Sequence, residues 1–225
     1  MSRQPLGDGL QRTELDFVTL GELAAAAIQR AVHALVTRDE GLAQQVIEGD
    51  DEIDELYLRI DSDTISLLAL QTPVASDLRL VSAILHGCLH LERIGDQAVN
   101  VAKLYLLSGD IAGSEGMRSV IAEMGDRVVA MIGTAMEAFI NRDVERCLEL
   151  PRMDDLVDRL NRTSHLEALK LADDRSAIEW GMHMNLAARA LERAGDNAVD
   201  IGEQISYLVT GEFREFTDAS HQVES

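Results

Sequence analysis

The sequence predicts an all-α protein: six long helices forming two pseudo-symmetric three-helix bundles. Three observations carry this reading. Of 225 residues, 46% are hydrophobic but only 4% aromatic, with three prolines, a composition rich in helix formers and poor in strand formers. Apolar residues recur at steps of three and four along extended segments. The chain also repeats itself. LERIGDQAV at 91–99 returns as LERAGDNAV at 191–199, with seven of nine positions identical at an offset of 100. Arg38-Asp39 and Asp50-x-x-x-Asp54 return as Arg142-Asp143 and Asp154-x-x-x-Asp158 at an offset of 104. Two ordered matches with nearly equal offsets indicate an internal duplication, shortened by four residues between its motifs in the second copy.

The elements follow in order. A first helix spans Thr13 to Thr37, with Leu20, Leu23, Ala27, Ala31 and Ala34 on one stripe. Asp39 is a suitable N-cap for a second helix, which reaches Leu70. Thr72-Pro73 then breaks the chain, and Pro73 suits the first turn of a third helix ending at Leu107. Ser108-Gly109-Asp110 and Gly113-Ser114 form a linker near the midpoint. The fourth helix runs from Glu115 to Ile140, its stripe formed by Met117, Val120, Met124, Val128, Met131, Ala135 and Ala138. Asp143 caps a fifth, reaching Ala172, which Pro151 should kink or interrupt. A sixth spans Ser176 to Val209. The first repeat is therefore 13–109 and the second 114–210, with 1–12 and 211–225 expected as flexible tails.

Charge and motifs exclude several functions. Forty Asp+Glu against 20 Lys+Arg leave a net charge of −20, which rules out a general nucleic-acid footprint. No apolar run approaches the ~18 residues of a membrane helix, so no integral membrane segment is expected. The N-terminus lacks the apolar core of a signal peptide. Cys88 and Cys147 provide neither a disulfide framework nor a CxxC pair, and two reduced thiols suit a cytoplasmic protein. There is no P-loop, no GxSxG and no pattern suggesting a catalytic triad. No Glu-x-x-His occurs, which argues against a ferritin-like di-iron site. Trp180 reads as packing, and no repeat supports a soft-metal site at Met182-His183-Met184.

The acidic residues are patterned. Asp50-x-x-x-Asp54 lies on the second helix and Glu92-x-x-x-Asp96-x-x-x-Asn100 on the third. Asp154-x-x-x-Asp158 and Glu192-x-x-x-Asp196-x-x-x-Asp200 are their counterparts on the fifth and sixth. A step of four drifts by only about 40° and rises about 6 Å, so each motif is a row of oxygen ligands on one helix face. Such rows destabilise a helix by roughly 0.2–0.5 kcal/mol per like-charged pair. Arg93 and Arg193 recur beside them, but one arginine per row cannot balance the charge. An acidic row is usually a solvated face; its repetition in both halves, beside Gly95, Ala98, Gly195 and Ala198, favours metal instead. All-oxygen sets suit Mg²⁺, Ca²⁺, Mn²⁺ or iron. A row about 12 Å long exceeds the reach of one ion and calls for a multinuclear cluster or several adjacent ions. His86 and His90 align with Leu186 and Ala190, so they are read as ordinary partly buried histidines.

QTPVASDLRLVSAIL at 71–85, the paired LERIGD and LERAGD motifs and the DxxxD motifs together resemble the PhoU family over about residues 13–210. The resemblance implies two three-helix bundles and surface clusters of iron or zinc. Carried over by position, one cluster would use Asp50, Asp54, Glu92, Asp96 and Asn100, the other Asp154, Asp158, Glu192, Asp196 and Asp200. Asn100 departs from the all-carboxylate pattern, and LADDRSAIEWG replaces the QTPVASDLR segment in the second half. The resemblance further implies a regulator that restrains phosphate uptake and the phosphate-starvation response. It would act between the ATPase of a phosphate ABC transporter and a sensor histidine kinase, as a homodimer. Two other functions compete: a multinuclear-metal phosphatase or hydrolase, and a structural bundle whose acidic rows serve solubility alone.

Overall fold

Amphipathic stripes must be covered, and here each long helix is covered by its repeat-mates, and the four longest by the other half as well. The structure is a computed structural model describing residues 4–109, 111 and 113–216. Its helices are α1 (Gln4–Thr37), α2 (Glu40–Glu48), α3 (Asp50–Gln71), α4 (Ser76–Leu107), α5 (Glu115–Asn141), α6 (Val144–Cys147), α7 (Leu150–Leu169) and α8 (Arg175–Thr210). No strand occurs among the described residues, and no helix is long and apolar enough to cross a membrane.

Four helices form a closed ring, α1 on α4, α4 on α8, α8 on α5 and α5 back on α1. The pair α2–α3 packs across α1 and α4; α6 and α7 pack across α5 and α8. Each half is thus three helical rods, the middle one broken. The α4–α8 contact is the most extensive of all. It is antiparallel, since His90 bonds Asn197 and Arg79 donates to the Leu208 carbonyl. One hydrophobic cluster runs through both halves, from Phe17 and Ile84 to Met124 and Leu191. In the α1 stripe Leu20, Ala31 and Ala34 are buried, while Leu23 and Ala27 pack partly buried against the core. The α5 stripe is fully buried apart from Val120.

The duplicated Arg-Asp pair ends one helix and starts the next. Arg38 and Arg142 adopt left-handed φ of 62° and 55°, a conformation that disfavours L side chains. At Arg142 the guanidinium compensates: it donates to the Phe139 carbonyl, pairs with Glu14 and lies 4.5 Å from the Phe139 ring centroid. Asp39 then accepts from the Leu42 N–H, and Asp143 from the Glu145 and Arg146 N–H groups, as N-caps do.

Three boundaries differ from expectation. The second predicted helix is broken at Gly49, where α2 ends and α3 begins. Its apolar spacing is continuous across the break, so periodicity alone could not reveal it. The fifth, by contrast, is interrupted at Leu148-Glu149, directly ahead of Pro151 and in keeping with the expected interruption there, and Pro151 sits in the first turn of α7, where its missing N–H is harmless. Helix α1 begins at Gln4, so residues 4–12 are helical rather than a loose tail; residues 1–3 lie outside the description. After Gly211 the chain folds back, and the Phe216 N–H donates to buried Glu203 at 2.7 Å. The rest of the expected tail, 217–225, is also undescribed. The shortening of the second copy falls at the end of α7, which stops at Leu169 while α3 runs to Gln71.

Close helix approach depends on glycine where a Cβ would strike a neighbour. At Gly125 on α5 it would come within 2.8 Å of Val32 on α1, whereas at Gly133 nothing lies within 4 Å. Gly125→Ala is expected to destabilise by about 1–3 kcal/mol through overpacking. Gly133→Ala should stabilise by about 0.5–1 kcal/mol through helix propensity alone. Urea unfolding of the two variants checks both signs.

Candidate functional site

Packing of α3 on α4, and of α7 on α8, brings the acidic motifs face to face. Asp50 and Asp54 come from α3 and meet Glu92 and Asp96 from α4. Asp154 and Asp158 come from α7 and meet Glu192 and Asp196 from α8. The motif glycine permits this approach. A Cβ at Gly195 would come within 2.7 Å of Asp154 Oδ1; at Gly95 it would strike Ile53 at 3.0 Å and sit 3.6 Å from Asp50 Oδ1. The glycine of LERxGD is therefore the cradle on which the first aspartate of DxxxD rests.

The electrostatics follow from crowding and lost water. Burial raises the pKa of Asp50 and Asp54, with Asp96 adding repulsion to both. Burial also raises Glu92, reinforced by Asp96 and Asp54. The second set is more strongly perturbed. Asp154 is pushed up to about 7 by burial and then by Asp196, Asp158 and Glu192. Glu192 and Asp196 are raised too, again by burial first. Positive groups oppose these shifts: Arg93 acts on Glu92, and Arg193 on Glu192 and Asp196. Two cations that the repeat pattern did not single out also contribute. Lys103 acts on Asp50, and Arg189 pairs directly with Glu192. Neither is repeated: their counterparts are Glu203 and Leu89.

The last member of each row is turned toward the seam between α4 and α8. Asn100 lines a groove there with Arg189 and Arg193, and its amide donates to Gln97 at 3.4 Å. Asp200 lies 3.3 Å from His90 Nδ1, which is also 2.9 Å from Asn197 Oδ1. His90 is thus a half-hidden partner of the other half's row, a link invisible in sequence because it spans more than a hundred residues. His86 is exposed and bonds only its own helix.

The donor set has mixed fitness for metal. Asp154 Oδ1 and Glu192 Oε2 are buried without a hydrogen-bond partner, and Glu192 is only 7% exposed. Hard oxygen donors left unsatisfied in this way are chemically suited to a cation. Yet among the described residues no group of three or more His, Cys, Asp or Glu side chains is arranged to hold a metal ion. The carboxylates are gathered on facing helices, but their side chains must still rotate to converge. The cysteines are not involved: both are free and buried, with thiols pushed up to about 12 by burial. Met184 is buried while Met182 is exposed, so the two point apart.

Comparison with known proteins agrees with the duplicated helical fold. A family model described as "PhoU domain" matches residues 17–105 and again 121–205. The chain is 35% identical to a phosphate-specific transport system accessory protein PhoU homolog of Pseudomonas aeruginosa, covering 94% of this chain and 86% of that one. A homolog of the same description from Clostridium acetobutylicum is 30% identical, with 97% and 100% covered. The crystal structure of PhoU from Pseudomonas aeruginosa superposes with a TM-score of 0.86 at 34% identity, covering 92% of this chain and 99% of that one. The phosphate transport system regulatory protein PhoU from Streptococcus pneumoniae superposes with a TM-score of 0.84 at 28% identity, covering 93% and 99%.

The raised carboxyl of Asp154 makes a signed prediction. Its ordinary value is 3.8 and its folded, metal-free value about 7. Between these, the folded chain holds the proton more firmly than the unfolded chain, so this group's contribution to stability falls as pH rises through the window. Asp154→Asn removes that contribution. In metal-free protein the variant should gain on the parent between about pH 5 and about pH 8. Thermal melts at both pH values test this; an equal difference at each would contradict it.

Proposed function

The chain belongs to the PhoU family, and on that premise we propose that it is a cytoplasmic, non-enzymatic regulator attached to a phosphate-specific transport system. In this reading it restrains phosphate uptake and the phosphate-starvation response. It does so as a homodimer that contacts the transporter's ATPase subunit and a membrane sensor histidine kinase. The names of its relatives, accessory and regulatory proteins of phosphate transport, support the assignment to that system.

The metal reading belongs to the same proposal. Asp50, Asp54, Glu92 and Asp96 would hold one cluster, with Asn100 at its end. Asp154, Asp158, Glu192 and Asp196 would hold the other, with Asp200 at its end. Iron or zinc is the favoured occupant, with manganese or magnesium as oxygen-preferring alternatives. The observation that carries it is the double assembly: the same four carboxylates meet over the same glycine in both halves. Two orphaned oxygens in the second set add to it. A bound cation would offset the mutual repulsion of the acids. The chain's own residues would hold the ions and orient the carboxylates, with Arg93 and Arg193 beside them. Neutralised in this way, the bundle presents a less negative face to its partners, and charge would still steer the encounter.

Two measurements test the proposal separately. Protein purified without chelator should contain iron or zinc, and Asp96→Asn with Asp196→Asn should lose most of it. Gly195→Val should lose metal from the second set, because its side chain would displace Asp154. Metal at trace level in the parent would remove the cofactor reading and leave the regulatory one standing. For the regulatory reading, a deletion strain should express phosphate-starvation genes constitutively in phosphate-rich medium. Unchanged expression there would refute it.

A further inference from the structure

The α4–α8 seam has two sides related by the pseudo-twofold, and they have diverged in charge. One side is a groove of about 360 Å³ lined by Lys103 from α4 and by Arg189 and Arg193 from α8, with Gln97 and Asn100 beside them. None of its described lining residues is acidic. At an offset of 100 the equivalent side carries Glu203 for Lys103, Asp200 for Asn100 and Leu89 for Arg189. That side keeps Arg93 but is more acidic: Asp200 reaches His90 and repels both Asp196 and the buried Glu203. Three differences between the copies therefore act in the same sense. In a chain with twice as many acids as bases, gathering three bases around one groove runs against abundance.

We propose that this groove binds a multivalent oxyanion, a phosphoryl group carried by inorganic phosphate or by a small organic phosphate. Two guanidinium forks and an ammonium supply the charge and the paired donors that tetrahedral oxyanions take. The Asn100 amide adds a neutral donor on the same wall, and Arg193 and Lys103 are both exposed. Arg189 holds Glu192 across the edge of the groove, so the anion competes with that carboxylate for one fork. Leu104 and Leu186 form an apolar wall, which an organic phosphate would cover and free phosphate would not. The inference requires neither the metal reading nor any partner protein.

The test is calorimetric titration of the full chain, stripped of metal and dialysed free of chelator, with inorganic phosphate and with phenyl phosphate. Saturable binding that weakens with added salt is expected. Lys103→Glu, which installs the other side's residue, and Arg193→Gln should each weaken it about tenfold, the scale of one charge-assisted hydrogen bond. Arg59→Gln, an exposed α3 arginine paired with Asp16 outside the groove, should leave it unchanged. Melting temperatures of all variants control for folding. Tighter binding of phenyl phosphate identifies the organic source, and equal affinity identifies the free anion. No saturable binding of either probe, or undiminished binding by folded Lys103→Glu, overturns the proposal.

Discussion

Two turns of helix resting on one glycine set the terms for this molecule. Where DxxxD packs over LERxGD, carboxylates are brought together as water is removed. Burial and mutual repulsion both disfavour the charged state. Every other feature of the site answers that cost. The glycine gives the aspartate room, the neighbouring arginines and Lys103 lend positive charge, and Asp154 keeps its proton up to about pH 7. A fold that invests in this crowding twice, in helices joined by one core, keeps a destabilising cluster that solubility alone would not require.

The ring of α1, α4, α8 and α5 explains why the two halves behave as one body. Their hydrophobic faces form a single cluster, so neither half has a core of its own to close. Duplication placed equivalent surfaces on both sides of the α4–α8 seam. Between the copies, most buried positions keep their apolar character although not always their identity. Ile94 and Ala194, both buried in the seam helices, remained apolar. Lys103 and Arg189 line the groove at the seam and differ in charge from their counterparts, while Glu203, the counterpart of Lys103, is buried and accepts from the Phe216 N–H. The second acidic set also lies deeper than the first, so two copies of one motif differ in the pKa of their leading aspartate.

Much of this was legible in the residues. The helical class, the duplication, the capping roles of Asp39 and Asp143 and the composition of each acidic row all follow from the residues and their spacing, while the grouping of rows into quartets came from the family resemblance. The break at Gly49 did not, because the apolar stripe continues through it. Nor did the helical start of α1 at Gln4, since nothing in its polar opening distinguishes a helix from a tail. The return of Phe216 onto Glu203 depends on a buried acceptor thirteen residues away. The roles of Arg189, Lys103 and His90 were hidden for a related reason. Each lacks a repeated counterpart of its own type; Lys103 and His90 act on carboxylates from another helix, and Arg189 pairs with Glu192 one turn along its own.

The sequence by itself determined which residues share a helix face, because a step of four fixes azimuth and rise without reference to anything else. It therefore determined the rows, their glycine and their twofold repetition. Only the tertiary structure decided which rows meet, how deeply each is buried and where the fifth member of each turns. It turns toward the seam because the drift of each step carries Asn100 and Asp200 off their own half and toward the other. The charge of a groove is likewise a property of two helices at once, and neither α4 nor α8 read alone contains it.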